Sequence, residues 1–145
     1  MGSWTLRRAE HEDAEALSAC IEAAYAAYAA RIADLPPVSA DCAGEIARHQ
    51  VWLVEIAKEV VGGLVLIPQD GFMLLANVAV HPSQKGAGLG RALLERADAE
   101  ASAQGYNELR LTTHVDMPET HRFYAHLGWQ ETGRCGNKVS MRKTI

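Results

Sequence analysis

One segment constrains the chain more than any other: an apolar run, a loop punctuated by glycine, and then a helical pattern. Residues 72–80 predict a strand, glycines stand at positions 86, 88 and 90, and residues 88–104 have the spacing of an amphipathic helix. The first amides of a helix lack helical partners and carry partial positive charge, so they favour anions. Glycine removes the Cβ atoms where a phosphate would approach the backbone. The segment predicts a phosphate-binding loop, flanked by the cations Lys85 and Arg91.

The spacing of the glycines distinguishes among the known types of nucleotide-binding loop. A dinucleotide fingerprint requires a glycine where Arg91 stands, and a Walker loop requires a Gly-Lys-Ser/Thr ending that this segment lacks. Residues 85–90, Lys-Gly-Ala-Gly-Leu-Gly, instead resemble motif A of the GNAT superfamily of acetyl-CoA-dependent N-acetyltransferases. Lys85 stands where that family usually has Arg or Gln, and a lysine still binds phosphate as a point charge.

A second resemblance lies farther along the chain, in the order that the family requires. Residues 123–124 are Phe-Tyr, and after three further residues Gly-Trp stands at 128–129, similar to the helix and turn that close the GNAT core. Asp116 is expected to cap this helix. Met117 stands where the family favours an asparagine, so the contact of that asparagine with the pantetheine arm does not carry over.

The predicted elements follow the order β-α-α-β-β-β-α-β-α-β-β. Strands are predicted over residues 4–8, 51–57, 60–67, 72–80, 108–114, 129–132 and 138–142, and helices over residues 13–30, 39–49, 88–104 and 116–127. The turn of the first hairpin is predicted at Lys58 and Glu59. The resemblance implies a GNAT-like α/β fold, an α+β mixed sheet whose fourth and fifth strands splay apart. With 145 residues, the chain is expected to form a single domain over residues 1–145.

The resemblance also implies acetyl-CoA as co-substrate, with its pantetheine arm between the splayed strands. A primary amine is then expected to attack the acetyl group directly, in a ternary complex. The residues expected to bind the cofactor are Val78, Ala79, Val80, Lys85, Gly86, Ala87, Gly88, Leu89, Gly90, Arg91 and Phe123.

The chemistry needs an acid for the departing thiolate and a route for the proton of the amine. Tyr124 occupies the family's general-acid position, the alternative being a core aromatic with a satisfied hydroxyl. Some GNAT enzymes use a glutamate on the fourth strand, but residues 72–78 contain no carboxylate. Two residues are candidates for the base: Asn77, acting through a bound water, and His114, at the end of the fifth strand. The alternative is a structural role, with Asn77 as a strand-bulge residue that bonds its own backbone and His114 as an exposed histidine at a strand end.

The acceptor is expected to lie against the first helix. Tyr25, Tyr28 and Arg31 follow one another at three-residue intervals and share part of one helical face. Tyrosine rings would favour an ammonium group, and Arg31 would favour a carboxylate on the same substrate. Alternatively, the tyrosines pack and Arg31 is a solvated surface charge.

Composition argues against several other classes of protein. A net charge of −4 argues against a nucleic-acid surface, and the absence of a long apolar run or leader argues against a membrane protein, so a cytoplasmic location is expected. The three cysteines are widely spaced and predict reduced thiols, with no disulfide and no metal site. The closing strands are a possible homodimer edge.

Two other functions remain open. A CoA-binding module without catalysis would keep the glycine loop and would explain the missing strand carboxylate. A nicotinamide or nucleotide binder would need an acidic ribose partner at the end of a second strand, whereas Asp98 and Glu100 fall within the predicted helix.

Overall fold

The computed structural model describes residues 4–31, 42–84, 86–114 and 118–145, with the backbone alone for residues 27–31 and 118–119. Within these residues the strands are β1 (Thr5–Arg8), β2 (Gln50–Ile56), β3 (Glu59–Pro68), β4 (Met73–Val80), β5 (Glu108–His114), β6 (Gln130–Cys135) and β7 (Lys138–Thr144). The helices are α1 (Ala14–Arg31), α2 (Cys42–Arg48), α3 (Leu89–Ala103) and α4 (Pro118–His126). The predicted order of elements is confirmed. The predicted starts of α2 and α4, including the cap at Asp116, lie outside the described residues.

The strands form one mixed sheet in the order β1-β2-β3-β4-β5-β7-β6. The β4–β5 pair is parallel, and the other neighbouring strands pair antiparallel. A parallel pair needs a crossover connection, which α3 provides. The predicted α/β fold with a mixed sheet is therefore confirmed.

The two central strands separate soon after they meet. β4 pairs with β5 at only two positions, Met73 with Leu109 and Leu74 with Arg110. On the other side of β4, the register with β3 shifts two residues farther along the strand, which leaves Ala76 as a bulged residue. A bulge bends and twists its strand, so β4 turns away from β5 here. The predicted splay is present, and among the described residues no strand lies beside the rest of β4 on the β5 side.

The sheet carries helices on both faces. On one face α3 buries residues at four-residue steps, namely Leu89, Leu93, Ala97 and Ala101, each at most 1% exposed. On the other face, α1 buries Leu17 and Ile21 against β2, β3 and β4. Four-residue steps place side chains on one side of a helix, which is why the sequence pattern predicted these helices well.

The turn of the β2–β3 hairpin differs from its prediction by one residue. Ala57 and Lys58 both have positive φ, 53° and 69°, and Glu59 is the first residue of β3. A two-residue turn with positive φ at both positions matches the right-handed twist of the two strands. The prediction was wrong because neither alanine nor lysine is a typical residue of such a turn.

The last two strands are longer than predicted, since β6 extends to Cys135 and β7 to Thr144. Of the described helices, none combines the length and the apolar character needed to cross a membrane.

Candidate active site

A cleft of about 550 Å³ opens beside the unpaired part of β4. Its walls come from α1, from β4, from the loop and first turn of α3, and from α4. The described residues that line it are Ala24, Tyr25, Val78, Ala79, Val80, Gln84, Gly86, Gly88, Leu89, Gly90, Arg91, Thr120, Phe123 and Tyr124. Most of the predicted cofactor residues and one of the predicted acceptor residues are thus brought together.

The pairing of β4 with β3 determines which backbone groups face the cleft. The His81 N–H donates to the Val61 carbonyl over 2.8 Å, so the backbone of His81 faces β3. Successive residues of an antiparallel strand alternate between its two sides. The register is unbroken from Val80, the residue before His81, back to Asn77. The N–H and C=O groups of Val78 and Val80 therefore face the cleft, and those of Ala79 face β3.

The loop before α3 leaves space directly in front of its backbone. Gly86 and Gly88 have φ of +80° and +84°, and a Cβ built on either meets nothing within 4 Å. The first helical hydrogen bond runs from Ala92 N to Gly88 O over 3.1 Å, and no side chain caps the helix at Gly88. The amides of residues 89–91 thus have no acceptor within the helix. The loop fits an anion, as predicted, whereas Lys85 lies outside the described residues.

The side chains around the start of α3 add an apolar wall and a positive charge. Phe123 of α4 lies over Gly90, where a Cβ would stand 3.4 Å from its Cζ atom, and 40% of Phe123 is exposed. Arg91 is exposed and lies 3.6 Å from Glu95 in an ion pair across one helical turn. An exposed pair of this kind is weak, so Arg91 can turn to an anion at the loop. Ala87 bonds back to Gln84 O over 3.2 Å and does not line the cleft.

Tyr124 also lines this cleft. It is 5% exposed, and its ring packs at 5.8 Å from Phe123 and 5.6 Å from Trp129, measured between ring centroids. The Trp129 amide donates to the Tyr124 carbonyl over 3.0 Å and closes α4. The structure therefore places the predicted acid both in the core and on the cleft wall.

Tyr25 of α1 contacts the same strand that lines the cleft. Its hydroxyl donates toward Asn77 Oδ1 over 3.3 Å and toward the Val78 carbonyl over 3.4 Å. Asn77 thus lies beside the bulge, and its side chain is held by α1. Helix α1 extends to Arg31, but the side chains of Tyr28 and Arg31 lie outside the described residues.

His114 is not brought to the cleft. It ends β5, where it pairs with Lys138 of β7, and only 9% of it is exposed. Its carbonyl lies 2.8 Å from His121 Nε2, which ties α4 to β5. The prediction placed His114 by its position at a strand end, but the end of β5 is covered by β7 and α4. Among the described lining residues there is no carboxylate and no histidine.

Three lining residues were not predicted: Ala24, Gln84 and Thr120. Thr120 lies four residues before Tyr124 on α4, so helical spacing was a usable signal. Ala24 adjoins Tyr25, and Gln84 precedes the glycine loop. No comparable signal marked either of them.

The cysteines are free thiols, buried at Cys20 and Cys42 and exposed at Cys135. Burial raises the pKa of the Cys20 thiol to about 11, so it stays protonated at neutral pH. In the described part of the chain, no three His, Cys, Asp or Glu side chains are grouped to hold a metal ion.

Comparisons with known proteins identify the family. A family model described as an acetyltransferase (GNAT) domain matches residues 47–131, more than half of the chain. N-alpha-acetyltransferase 80 of Mus musculus is 40% identical over 65 residues, which cover 45% of this chain and 19% of that protein. Mycothiol acetyltransferase of Nocardia farcinica is 33% identical over 132 residues, covering 88% of this chain and 42% of that protein. The chain thus spans less than half the length of either relative.

The fold is shared with solved structures. The crystal structure of the PaiA N-acetyltransferase from Thermoplasma acidophilum in complex with coenzyme A superposes with a TM-score of 0.89 at 19% identity, covering 99% of both chains. The family match extends from the end of α2 to the start of β6 and includes β4, the glycine loop, α3 and α4. The chain belongs to the GNAT acetyltransferase family.

Proposed function

We propose that the protein transfers an acetyl group from acetyl-CoA to a primary amine. The observation that carries this proposal is the continuity of one cleft. The unpaired edge of β4 and the open glycine loop of α3 line the same cleft, and Tyr124 lines it too. Acetyl-CoA is a long ligand with an anionic end and an amide-bearing arm, so a phosphate cradle followed by free strand groups suits it.

Different groups in the cleft would bind different parts of acetyl-CoA. The amides of Gly86 and of residues 88–91 would hold the pyrophosphate, helped by Arg91 and Lys85. The cleft-facing groups of Val78 and Val80 would pair with the amides of the arm, as an added strand does. Phe123 offers an exposed ring against which the arm can pack.

Acetyl-CoA supplies an activated thioester when bound. A neutral amine would form the new C–N bond at the acetyl carbon, and the C–S bond would break. A cleft-facing amide of β4 would donate to the acetyl oxygen, where negative charge grows. Tyr124 would give its hydroxyl proton to the departing sulfur, since a phenol retains its proton near neutral pH. The proton that the nitrogen loses as the amide forms would pass to water, and water would return a proton to Tyr124.

The names of the relatives support transfer to nitrogen. One relative is named an N-alpha-acetyltransferase, and the crystal structure with TM-score 0.89 is named an N-acetyltransferase.

A second candidate, a CoA-binding module without catalysis, is favoured by one observation. Among the described lining residues there is no carboxylate or histidine to take the amine's proton.

A screen separates the two functions. The protein is incubated with acetyl-CoA and a panel of amines, amino acids and short peptides, and free thiol is measured over time. Thiol release that depends on an amine supports the enzyme, and the acetylated product is verified by mass spectrometry. Tight calorimetric binding of CoA, with no amine-dependent release across the panel, would favour the binding module. Binding of NAD but not of CoA would reject both.

A further inference from the structure

Helix α4 forms one wall of the cleft, although few of its side chains are buried. It is nine residues long, and a helix of that length is marginal without tertiary contacts. Thr120, Phe123 and Tyr124 of this helix line the cleft. Among its described side chains, those at positions 120–126, only that of Tyr124 is buried. The position of α4 therefore depends on a small number of specific contacts.

One of these contacts is a hydrogen bond from α4 to the end of β5. His121 Nε2 lies 2.8 Å from the His114 carbonyl oxygen, a distance typical of an N–H···O bond. A carbonyl oxygen only accepts, so Nε2 carries the hydrogen and donates it. His114 is 9% exposed and pairs with Lys138 of β7, so the acceptor belongs to a well-packed part of the sheet.

This hydrogen bond lies close to the proposed proton donor. His121 is three residues before Tyr124, and residues at that spacing share one face of a helix. On the other side of Tyr124, the Trp129 amide donates to the Tyr124 carbonyl over 3.0 Å. Tyr124 thus lies between two contacts that hold α4. Proton transfer requires heavy atoms within about 2.6–3.2 Å, so a shift of α4 by about 1 Å would take the Tyr124 hydroxyl out of reach of the sulfur.

We propose that His121 is a positioning residue, whose hydrogen bond to the His114 carbonyl holds α4, and with it the Tyr124 hydroxyl, in place at the cleft. We call this hydrogen bond the α4 tether. His121 does not line the cleft, so it acts through Tyr124. Its effect on turnover rests on the proposed function, but the tether itself can be measured without turnover.

The tether does not depend on the charge of His121. Nε2 bears a hydrogen both in the neutral tautomer that donates here and in the protonated ring, so both forms can donate to the carbonyl. The charged groups near His121 are on β6, where the hydrogen bond from Arg134 and, more weakly, the charge of His121 lower the pKa of Glu131. A neutral donor in place of His121 should therefore keep the pH profile of the reaction, which a general base at this position would not allow.

Two polar variants and one apolar variant test the tether. In His121→Gln the amide nitrogen can reach the place of Nε2, whereas in His121→Asn it lies nearer the backbone, and His121→Leu has no donor. In CoA-saturated protein, amide hydrogen exchange in α4 should be as in the wild type for His121→Gln. It should be about tenfold faster for His121→Asn and His121→Leu, as expected for one lost hydrogen bond. His126→Leu, at the exposed last residue of α4, is the matched control and should exchange as the wild type does.

Turnover is measured as thiol release from acetyl-CoA with the most reactive amine of the panel. His121→Asn and His121→Leu should lower kcat about tenfold, while CoA affinity by calorimetry stays within about threefold, because the glycine loop and β4 hold the cofactor. His121→Gln should keep the wild-type kcat and a parallel pH profile from pH 6 to pH 9. In a Tyr124→Phe background, His121→Leu should cost no more than about twofold, because the hydroxyl that it positions is gone.

The outcomes distinguish the tether from the proposed function. If the wild type releases no thiol with any amine, the enzyme is contradicted and exchange alone decides the tether. Wild-type exchange and kcat in His121→Asn would overturn the tether and leave the enzyme standing, and this comparison with His121→Gln holds even if His121→Leu does not fold. An equal loss of kcat with and without the Tyr124 hydroxyl would also overturn the positioning role. So would loss of activity in His121→Gln with wild-type exchange, which would give the imidazole a chemical role.

Discussion

Gly63 of β3 lies directly beneath Leu17 of α1, and a Cβ atom on Gly63 would stand only 2.5 Å from the Leu17 Cδ1 atom. Leu17 is 1% exposed in the core on that face of the sheet. Tyr25 lies about two turns farther along the same helix. The absent side chain at Gly63 therefore leaves the space that Leu17 fills, on the helix that also carries Tyr25.

Gly63→Ala should destabilise the protein by about 1–3 kcal/mol, the range for an overpacked core. The added methyl group must displace Leu17 or lift α1, because the clash lies deep in the core. Gly133→Ala is the control, since a Cβ at Gly133 of β6 meets nothing within 4 Å. Denaturant unfolding of both variants tests this, and equal stability of the two would contradict the packing argument.

Acid should weaken the ion cluster that joins β1 to β2 and to the start of α1. Arg7 donates to both carboxylate oxygens of Asp13 and to Glu55 Oε1, each over 2.8 Å. Hydrogen bonds from Arg7 lower the pKa of Asp13 and of Glu55 in the folded protein. The cluster therefore stabilises the fold above the unfolded pKa values, near 4, and this contribution is lost as pH falls through the lowered folded values.

Arg7→Leu isolates this contribution. The free energy of unfolding should fall by about 1–3 kcal/mol at pH 7, because two partly buried carboxylates lose their partner. The difference between wild type and variant should shrink as pH falls below about 4, where both carboxyl groups take up protons. Chemical denaturation at several pH values measures it. A difference that is constant from pH 7 to pH 3 would show that the cluster acts by packing alone.

Gly88→Asp should weaken CoA binding at least tenfold. The change adds a side chain to the open face of the glycine loop and a negative charge where the pyrophosphate is expected. Gly71→Asp is a close control, because Gly71 also has positive φ, +88°, and open space around it but lies in the β3–β4 turn. Both variants should lose similar stability, whereas only Gly88→Asp should lose affinity by calorimetry. Equal affinity in the two variants would remove the phosphate role of the loop.

Tyr124→Phe should lower kcat by about 10²-fold, the usual cost of losing a general acid. The ring and its packing against Trp129 and Phe123 remain, so the affinity for acetyl-CoA should change little. Tyr106→Phe, outside the cleft, should keep full turnover. Unchanged kcat in Tyr124→Phe from pH 6 to pH 9 would mean that water protonates the thiolate.

The parts of the fold that sequence predicted well are those with strong periodicity. Leu89, Leu93, Ala97 and Ala101 repeat at four residues, so α3 was predicted to within a residue at each end. The β2–β3 turn was misplaced because Ala57 and Lys58 adopt positive φ only under the constraint of the paired strands. Tertiary structure overrides local preference at such positions.

In the candidate site, too, the sequence predicted the features with a local pattern and missed those that depend on tertiary contacts. The glycine loop and Tyr124 were recognisable because their spacing is local and specific. The Tyr25 contact with Asn77 joins residues far apart in the chain, and it depends on the height of α1 above the sheet. No pattern in the sequence reports that height. His114 was predicted to be accessible because it ends a strand, but β7 and α4 contact that end of β5. The sequence pattern shows the end of a strand and does not show which elements cover it.

Asn77→Asp should move acetyl transfer to lower pH. Because no carboxylate or histidine lines the described part of the cleft, the wild-type kcat/KM should rise about tenfold per pH unit below the pKa of the amine, near 10.4 for an alkyl amine. A carboxylate at position 77 would lie beside the Tyr25 hydroxyl and could accept the amine's proton directly. Asn77→Asp should therefore raise kcat/KM about tenfold or more at pH 6–7 and flatten its rise with pH. Asn107→Asp, which makes the same charge change at an exposed position outside the cleft, should leave the profile unchanged. A parallel profile for wild type and Asn77→Asp would show that the side chain at position 77 does not contact the amine.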